Sequence, residues 1–168
     1  AKIYAARGVV DESDLLLSLK DLLDTRQLKG VECAVELLMW AIFNKKKIII
    51  VGDFDCDGAT STALAVLALN AMGAKKCEYL VPNRFEFGYG LTPEIVDLAA
   101  TKTPDLIVTV DNGIASIDGV MRAKSLGIKV LVTDHHLPGD ELPDADAIVN
   151  PNQPGCEFLS KNAAGVGV

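Results

Sequence analysis

Short, unbroken runs of aliphatic residues, each followed by an amphipathic stretch, constrain this chain more than any other feature. Lys47-Ile48-Ile49-Ile50-Val51 reads as a strand buried on both faces, and Ala59 to Gly73 as the helix after it, ending in a glycine cap. Glu78-Tyr79-Leu80-Val81 is a second run, stopped by Pro82. Thr92-Pro93 opens a short helix, with a capping residue followed by proline at the first helical position. Leu106-Ile107-Val108-Thr109-Val110 is the third run, Ser116 to Leu126 a helix closed by Gly127, and Ile128 to Thr133 the fourth run. Ala147-Ile148-Val149 is a shorter fifth. Strands without polar alternation, separated by helices, imply a parallel sheet covered on both faces. Its crossovers are expected to be right-handed. The expected fold is therefore α/β, a doubly wound, mainly parallel sheet flanked by helices. Two helical stretches precede it. Asp11 to Leu23 aligns Leu15, Leu19 and Leu22, and Val31 to Phe43 aligns Val31, Val35, Leu38 and Ile42. The expected organisation is a helical segment, residues 1–46, packed on an α/β body, residues 47–168.

Composition narrows the class. A chain of 168 residues holds one well-buried domain and is too short for two ordinary ones. With 49 % hydrophobic and 23 % charged residues it reads as globular and not disordered. No apolar run reaches the roughly 18 residues of a membrane span, and the opening AKIYAARGVV lacks a signal-peptide pattern. Cys33, Cys56, Cys77 and Cys156 are scattered, without a C-x-x-C pair. Such thiols suggest a cytoplasmic protein and speak against a disulfide framework or a zinc site. The net charge of −7 opposes phosphate binding, unless the acidic residues gather where cations reverse the local sign.

Ligands in such a sheet bind beyond the carboxyl ends of the strands. After the first strand stands Gly52-Asp53-Phe54-Asp55-Cys56-Asp57-Gly58, after the third Asp111-Asn112-Gly113, and after the fourth Asp134-His135-His136, which holds both histidines of the chain. Packed without cations, these carboxylates would raise one another's pKa. Two divalent ions would neutralise them. Carboxylate and imidazole together suit Mn²⁺ or a related first-row ion, and Mg²⁺ would accept the oxygens. The chemistry that follows is phosphoester hydrolysis.

Duller readings exist for each piece. Asp-x-Asp-x-Asp-Gly could open a calcium loop, but Leu64 stands where the bidentate Glu belongs and a strand precedes it. Asp53-x-Asp55 could belong to an aspartyl-phosphate phosphatase, which leaves the histidines without a task. Asp111-Asn112-Gly113 alone is an ordinary turn. Adjacent side chains leaving a strand point apart, so the two histidines are expected to differ. His135 is expected as a ligand, His136 beside the phosphate, and Asp134 as the group that sets an imidazole tautomer.

GDFDCDG, VDNG and DHH are similar to motifs one to three of the DHH phosphoesterase superfamily. The longer strings VGDFDCDGATSTA, YLVPNRFEFGYGL, LIVTVDNGI, VTDHHLPGD and NPN resemble those of its bacterial single-strand-specific DNA exonucleases, a likeness that runs from about Tyr4 to Val168. The resemblance implies 5′-to-3′ exonuclease action on single-stranded DNA in recombination and repair, supported by two ions of Mn²⁺ or Mg²⁺. It also implies a single-strand-binding protein or a helicase as partner. Mapped by motif, Asp53, Asp55, Asp111 and His135 would be metal ligands and Asp134 and His136 catalytic. Asp57 and Asn112 would support the loops, and Arg84 and Tyr89 would contact the substrate. A solvated loop charge at Arg84, and turn support or core packing at Tyr89, are the plainer alternatives. Phe87 departs from the pattern, where an acidic residue is frequent. Lys45-Lys46-Lys47 is expected at the opposite end of the sheet, as a solvated helix end. A fourth acidic motif and a second domain belong to the family pattern after DHH. On that pattern the chain is expected to be a truncated piece with little or no nuclease activity of its own.

Overall fold

Every residue of the strands Ile48–Gly52 (β1) and Leu106–Val110 (β3) is buried, as a strand with protein on both faces must be. The computed structural model describes residues 2–11, 15, 18, 20 and 22–168, with the backbone alone of Arg84. Three further strands, Cys77–Leu80 (β2), Lys129–Thr133 (β4) and Ala147–Val149 (β5), complete a five-stranded sheet of order β2-β1-β3-β4-β5. All four pairings are parallel, with Val51 opposite Thr109 and Val110 opposite Thr133.

Alternate strand residues face opposite sides. Ile48, Ile50, Leu106, Val108 and Leu131 pack beneath the helices Val31–Phe43 (α2) and Cys56–Ala71 (α3). Ile49, Val51, Ile107, Val130 and Val132 pack beneath Pro93–Ala100 (α5) and Ile117–Ser125 (α6). Ile48, Ile49 and Ile50 are each 0 % exposed, and burying such side chains contributes about 1.5–3 kcal/mol apiece. Short helices at Lys2–Ala6 (α1) and Arg84–Phe87 (α4) complete the elements used below. The sheet is wound outward in both directions from β1 and β3, so its switch point lies between their carboxyl ends. That is where a doubly wound sheet opens a binding crevice.

The expected elements and the observed ones differ in places. Helix α3 begins at Cys56, inside the first acidic motif and not at Ala59, because the Asp55 side chain accepts the Gly58 N–H and caps the helix. It ends at Ala71, with Gly73 following at φ 98°. Helix α5 starts as expected, with Thr92 accepting from the Ile95 N–H and Pro93 at the first helical position. The helix expected over Asp11 to Leu23, with Leu19 on its face, falls largely outside the described residues. Leu15 and Leu22, which are described, are exposed. Between β4 and β5 the chain has no helix, and residues 134–146 form an irregular connection.

Candidate metal centre

At the end of β1 the backbone turns within a space that admits no side chain. A Cβ on Gly52 would lie 2.0 Å from Thr62 Oγ1, and one on Gly58 would lie 2.3 Å from the Asp53 carbonyl oxygen. This close seating of α3 on the strand exit presents Asp53 and Asp55 together. Asp53 Oδ1 accepts the Phe54 N–H at 2.7 Å, and Asp55 Oδ1 accepts the Gly58 N–H at 2.9 Å. At the neighbouring strand end Asp111 adopts φ 61°, a left-handed conformation that Asp tolerates better than most residues. Asn112 ties the two exits together, its Nδ2 donating to the carbonyls of Val51 and Val110.

Asp111 is the shared member of two clusters. One ligand atom from each of Asp53, Asp55 and Asp111 lies within 4.8 Å of the others, and the same holds for Asp111, His135 and His136. Asp111 is 2 % exposed. Among the described residues its Oδ1 has no hydrogen-bond partner, although His135 Nε2 stands 3.0 Å away, close but without the alignment of a hydrogen bond. Burial, and after it the charges of Asp57 and Asp55, push the Asp111 carboxyl up to about 6, against the opposing pull of His135 and His136. A buried carboxylate oxygen left unsatisfied beside an imidazole nitrogen, with two more carboxylates in reach, is a donor set that fits divalent cations.

Asp134 has a different environment. It is 1 % exposed, and both of its oxygens are engaged. Oδ1 accepts the His135 N–H at 2.7 Å and the His136 N–H at 3.1 Å and lies 2.7 Å from His136 Nδ1, while Oδ2 accepts the Ile114 N–H at 2.9 Å. Desolvation pulls the His136 imidazole down, but the hydrogen bond and charge of Asp134, with Asp111 and Asp53 behind, leave it raised above its ordinary value. The two imidazoles diverge, with centroids 4.6 Å apart and planes tilted by 55°. Sequence reasoning missed what holds them from behind. Asn150 Nδ2 donates to the His136 carbonyl and Asn152 Nδ2 to the His135 carbonyl. The only hint of this was the Asn-Pro-Asn string after β5.

Asp57 directs both carboxylate oxygens to backbone. Its Oδ2 accepts the Gly165 N–H at 2.7 Å and its Oδ1 the Val166 N–H at 2.8 Å, which holds residues 165–166 against the centre. A Cβ on Gly165 would lie 2.7 Å from Asp111 Oδ1. On the other side opens a cleft of about 410 Å³, lined by Asp53, Asp111, His136, Tyr89, Leu91 and Ile117 among others. Tyr89 is exposed on this wall, its ring 5.8 Å from that of Phe54. Arg84 begins α4 at the same end of the sheet, and its side chain lies outside the described residues. Lys46 and Lys47 sit at the opposite end, paired with Asp105 and Glu78.

Comparison with known proteins gives a consistent result. The model of the DHH family, N-terminal domain, matches residues 47–168. The single-stranded-DNA-specific exonuclease RecJ of Salmonella typhimurium is 59 % identical over 167 residues, which are 99 % of this chain and 29 % of that protein. This chain thus spans less than a third of the relative's length. The crystal structure of exonuclease RecJ bound to manganese superposes with a TM-score of 0.78 at 37 % identity, covering 88 % of this chain and 37 % of that one. RecJ from Thermus thermophilus in complex with Mn²⁺ superposes at 0.75 and 32 % identity, covering 98 % of this chain and 22 % of that one.

Proposed function

The chain belongs to the DHH family, and on that premise we propose that it carries the metal-dependent phosphodiesterase centre of a 5′-to-3′ single-stranded-DNA exonuclease. The observation that carries this reading is the sharing of Asp111 between two ligand clusters, one of carboxylates and one with imidazoles. The RecJ proteins it resembles are named for that substrate, and two of their structures hold manganese.

In this reading Asp53, Asp55, Asp111 and His135 would hold two ions of Mn²⁺ or Mg²⁺. When bound, such ions supply the Lewis-acid charge that phosphodiester hydrolysis requires. The chain's own residues do the remainder. Asp134 engages His136 Nδ1 and leaves Nε2 as the nitrogen free for the cleft. The raised imidazole is then cationic over more of the neutral range, which favours a phosphate beside it. Tyr89 offers an exposed ring for a base to stack on, and Arg84 would grip the 5′ end with its planar fork. Asp57 and Asn112 support the loops. Residues 47–168 are the catalytic body in this reading, and helix α2 of the preceding segment packs against it. A cytoplasmic role in recombination and repair, alongside a single-strand-binding protein or a helicase, belongs to the same proposal.

Calorimetric titration of Mn²⁺ into this chain and its Asp111→Ala variant tests the centre. Binding is expected in the first and absent in the second, and equal binding in both would sink the reading. Mn²⁺-dependent release of nucleotides from a 5′-labelled single strand, and not from duplex, by a protein that joins this chain to the family's fourth acidic motif and second domain tests the substrate. Hydrolysis confined to short oligonucleotides, cyclic dinucleotides or pyrophosphate would instead identify a small-substrate DHH phosphatase, and no hydrolysis of any of them a non-catalytic binding domain.

A further inference from the structure

After β5 the chain runs Asn150-Pro151-Asn152-Gln153 behind the histidine pair. Asn150 is 0 % exposed, and its Oδ1 accepts the Asn152 N–H at 2.7 Å, which orients the next carboxamide. Asn152 Nδ2 then donates twice, to the His135 carbonyl at 2.6 Å and to the Lys161 carbonyl at 3.1 Å. Those two acceptors belong to different segments, each of which leads to the metal centre. His135 places its imidazole 3.0 Å from Asp111 Oδ1. Lys161 leads into the segment whose Gly165 packs on the same Asp111 and whose N–H groups rest on Asp57. One amide group therefore ties the loop carrying the imidazole to the segment that confines the carboxylate opposite it.

Resting on the metal reading proposed above, we infer that Asn152 is a positioning residue for the metal centre, holding His135 at its distance from Asp111. A backbone shift at residue 135 is amplified along the side chain to the ring nitrogen, so a carbonyl anchored at 2.6 Å limits where Nε2 can lie. The neighbouring amide has the complementary task. Gln153, 5 % exposed, directs its Nε2 to the carbonyls of Lys29 and Ile148 and not to the carbonyl of either histidine. It staples the same loop to the body of the domain without reaching the centre.

That contrast makes the test. Mn²⁺ affinity by calorimetry, and imidazole-nitrogen coupling to bound Mn²⁺ by pulsed electron paramagnetic resonance, are measured on the chain and on Asn152→Ala, Gln153→Ala and His135→Ala. Asn152→Ala is expected to weaken Mn²⁺ binding about tenfold or more, the usual effect of losing a group that orients a ligand, and to alter the nitrogen coupling. Gln153→Ala is expected to lower the melting temperature and leave affinity and coupling as they were. Asn152→Ser, which keeps one short donor, is expected to fall between, and it serves in place of the alanine variant should that one fail to fold. Wild-type affinity in both Asn152 variants, or an equal loss in Gln153→Ala, would reduce Asn152 to a staple like its neighbour and overturn the inference. Unchanged affinity and coupling in His135→Ala would instead remove the metal reading beneath it.

Discussion

Two identical side chains in succession have different tasks here because their surroundings differ by a few atoms. His136 Nδ1 meets the buried Asp134, while His135 Nε2 meets Asp111, whose Oδ1 has no hydrogen-bond partner among the described residues. The divergence was readable from the sequence, since adjacent residues leaving a strand cannot point alike. The role of Asn152 was not readable, because Asn after a strand looks like any turn former. Its partner Lys161 is nine residues away, and its partner His135 seventeen residues back. Asp111 gives the sharpest prediction at this scale. Its folded carboxyl titrates near 6, well above the ordinary carboxylate value of 3.8. The raised value means that stability is greatest where the group is protonated and is lost as pH rises through about 6. The raised His136 acts in the same sense. In EDTA the melting temperature is therefore expected to be higher at pH 5.5 than at pH 7.5. Asp111→Asn, which cannot ionise, is expected to stabilise the metal-free chain at pH 7.5 by about 1–3 kcal/mol, while weakening its Mn²⁺ binding. Thermal melts at the two pH values check both signs, and a lower melting temperature for the variant at pH 7.5 would contradict the assigned strain.

The elements were legible wherever burial dictated composition. β3 was expected and found at Leu106–Val110, and β5 at Ala147–Val149, because a strand enclosed on both faces tolerates little besides aliphatic residues. Helix α3 was misjudged by three residues for a physical reason. Cys-Asp-Gly carries low helix propensity and reads as loop, yet the Asp55 cap offsets that cost and draws all three residues into the helix. Four-residue α4 is too short to show a period at all. Gly58 sits where these influences meet. Replacing it with Ala gains about 1 kcal/mol in helix propensity, but the added Cβ would lie 2.3 Å from the Asp53 carbonyl oxygen and 2.6 Å from its carbon, which are backbone atoms with little room to give. Overpacking of this kind costs about 1–3 kcal/mol and moves Asp53. Gly58→Ala is therefore expected to lower the urea midpoint and weaken Mn²⁺ binding together. A variant with raised stability and intact binding would show that the turn has slack after all.

Across the whole molecule the net charge of −7 is unevenly used. At the amino ends of the strands cations and carboxylates cancel. Lys46 pairs with Asp105, Lys47 and Lys102 share Glu78, and Lys129 pairs with Asp146. The hydrogen bonds from Lys47 and then Lys102 draw Glu78 down to about 2, so it stays ionised throughout the working range. Exposed pairs like these add little stability because water and salt screen them, but they neutralise that end. At the carboxyl ends Asp53, Asp55, Asp57, Asp111 and Asp134 meet two histidines as the ion-pair partners among the described residues. A phosphate approaching this rim faces repulsion until the local sign changes, and two divalent ions contribute four positive charges. Affinity for a short 5′-phosphorylated single strand, read by fluorescence anisotropy at a fixed salt concentration, is accordingly expected to be weak in EDTA and to rise tenfold or more with saturating Mn²⁺. Such a factor corresponds to about 1.4 kcal/mol, a small share of what charge reversal at close range can supply. Monovalent salt cannot imitate the effect, because it screens the rim without reversing its sign. Equal binding with and without the metal would mean that the strand is held elsewhere on the surface, and that the acidic rim is not where the substrate arrives.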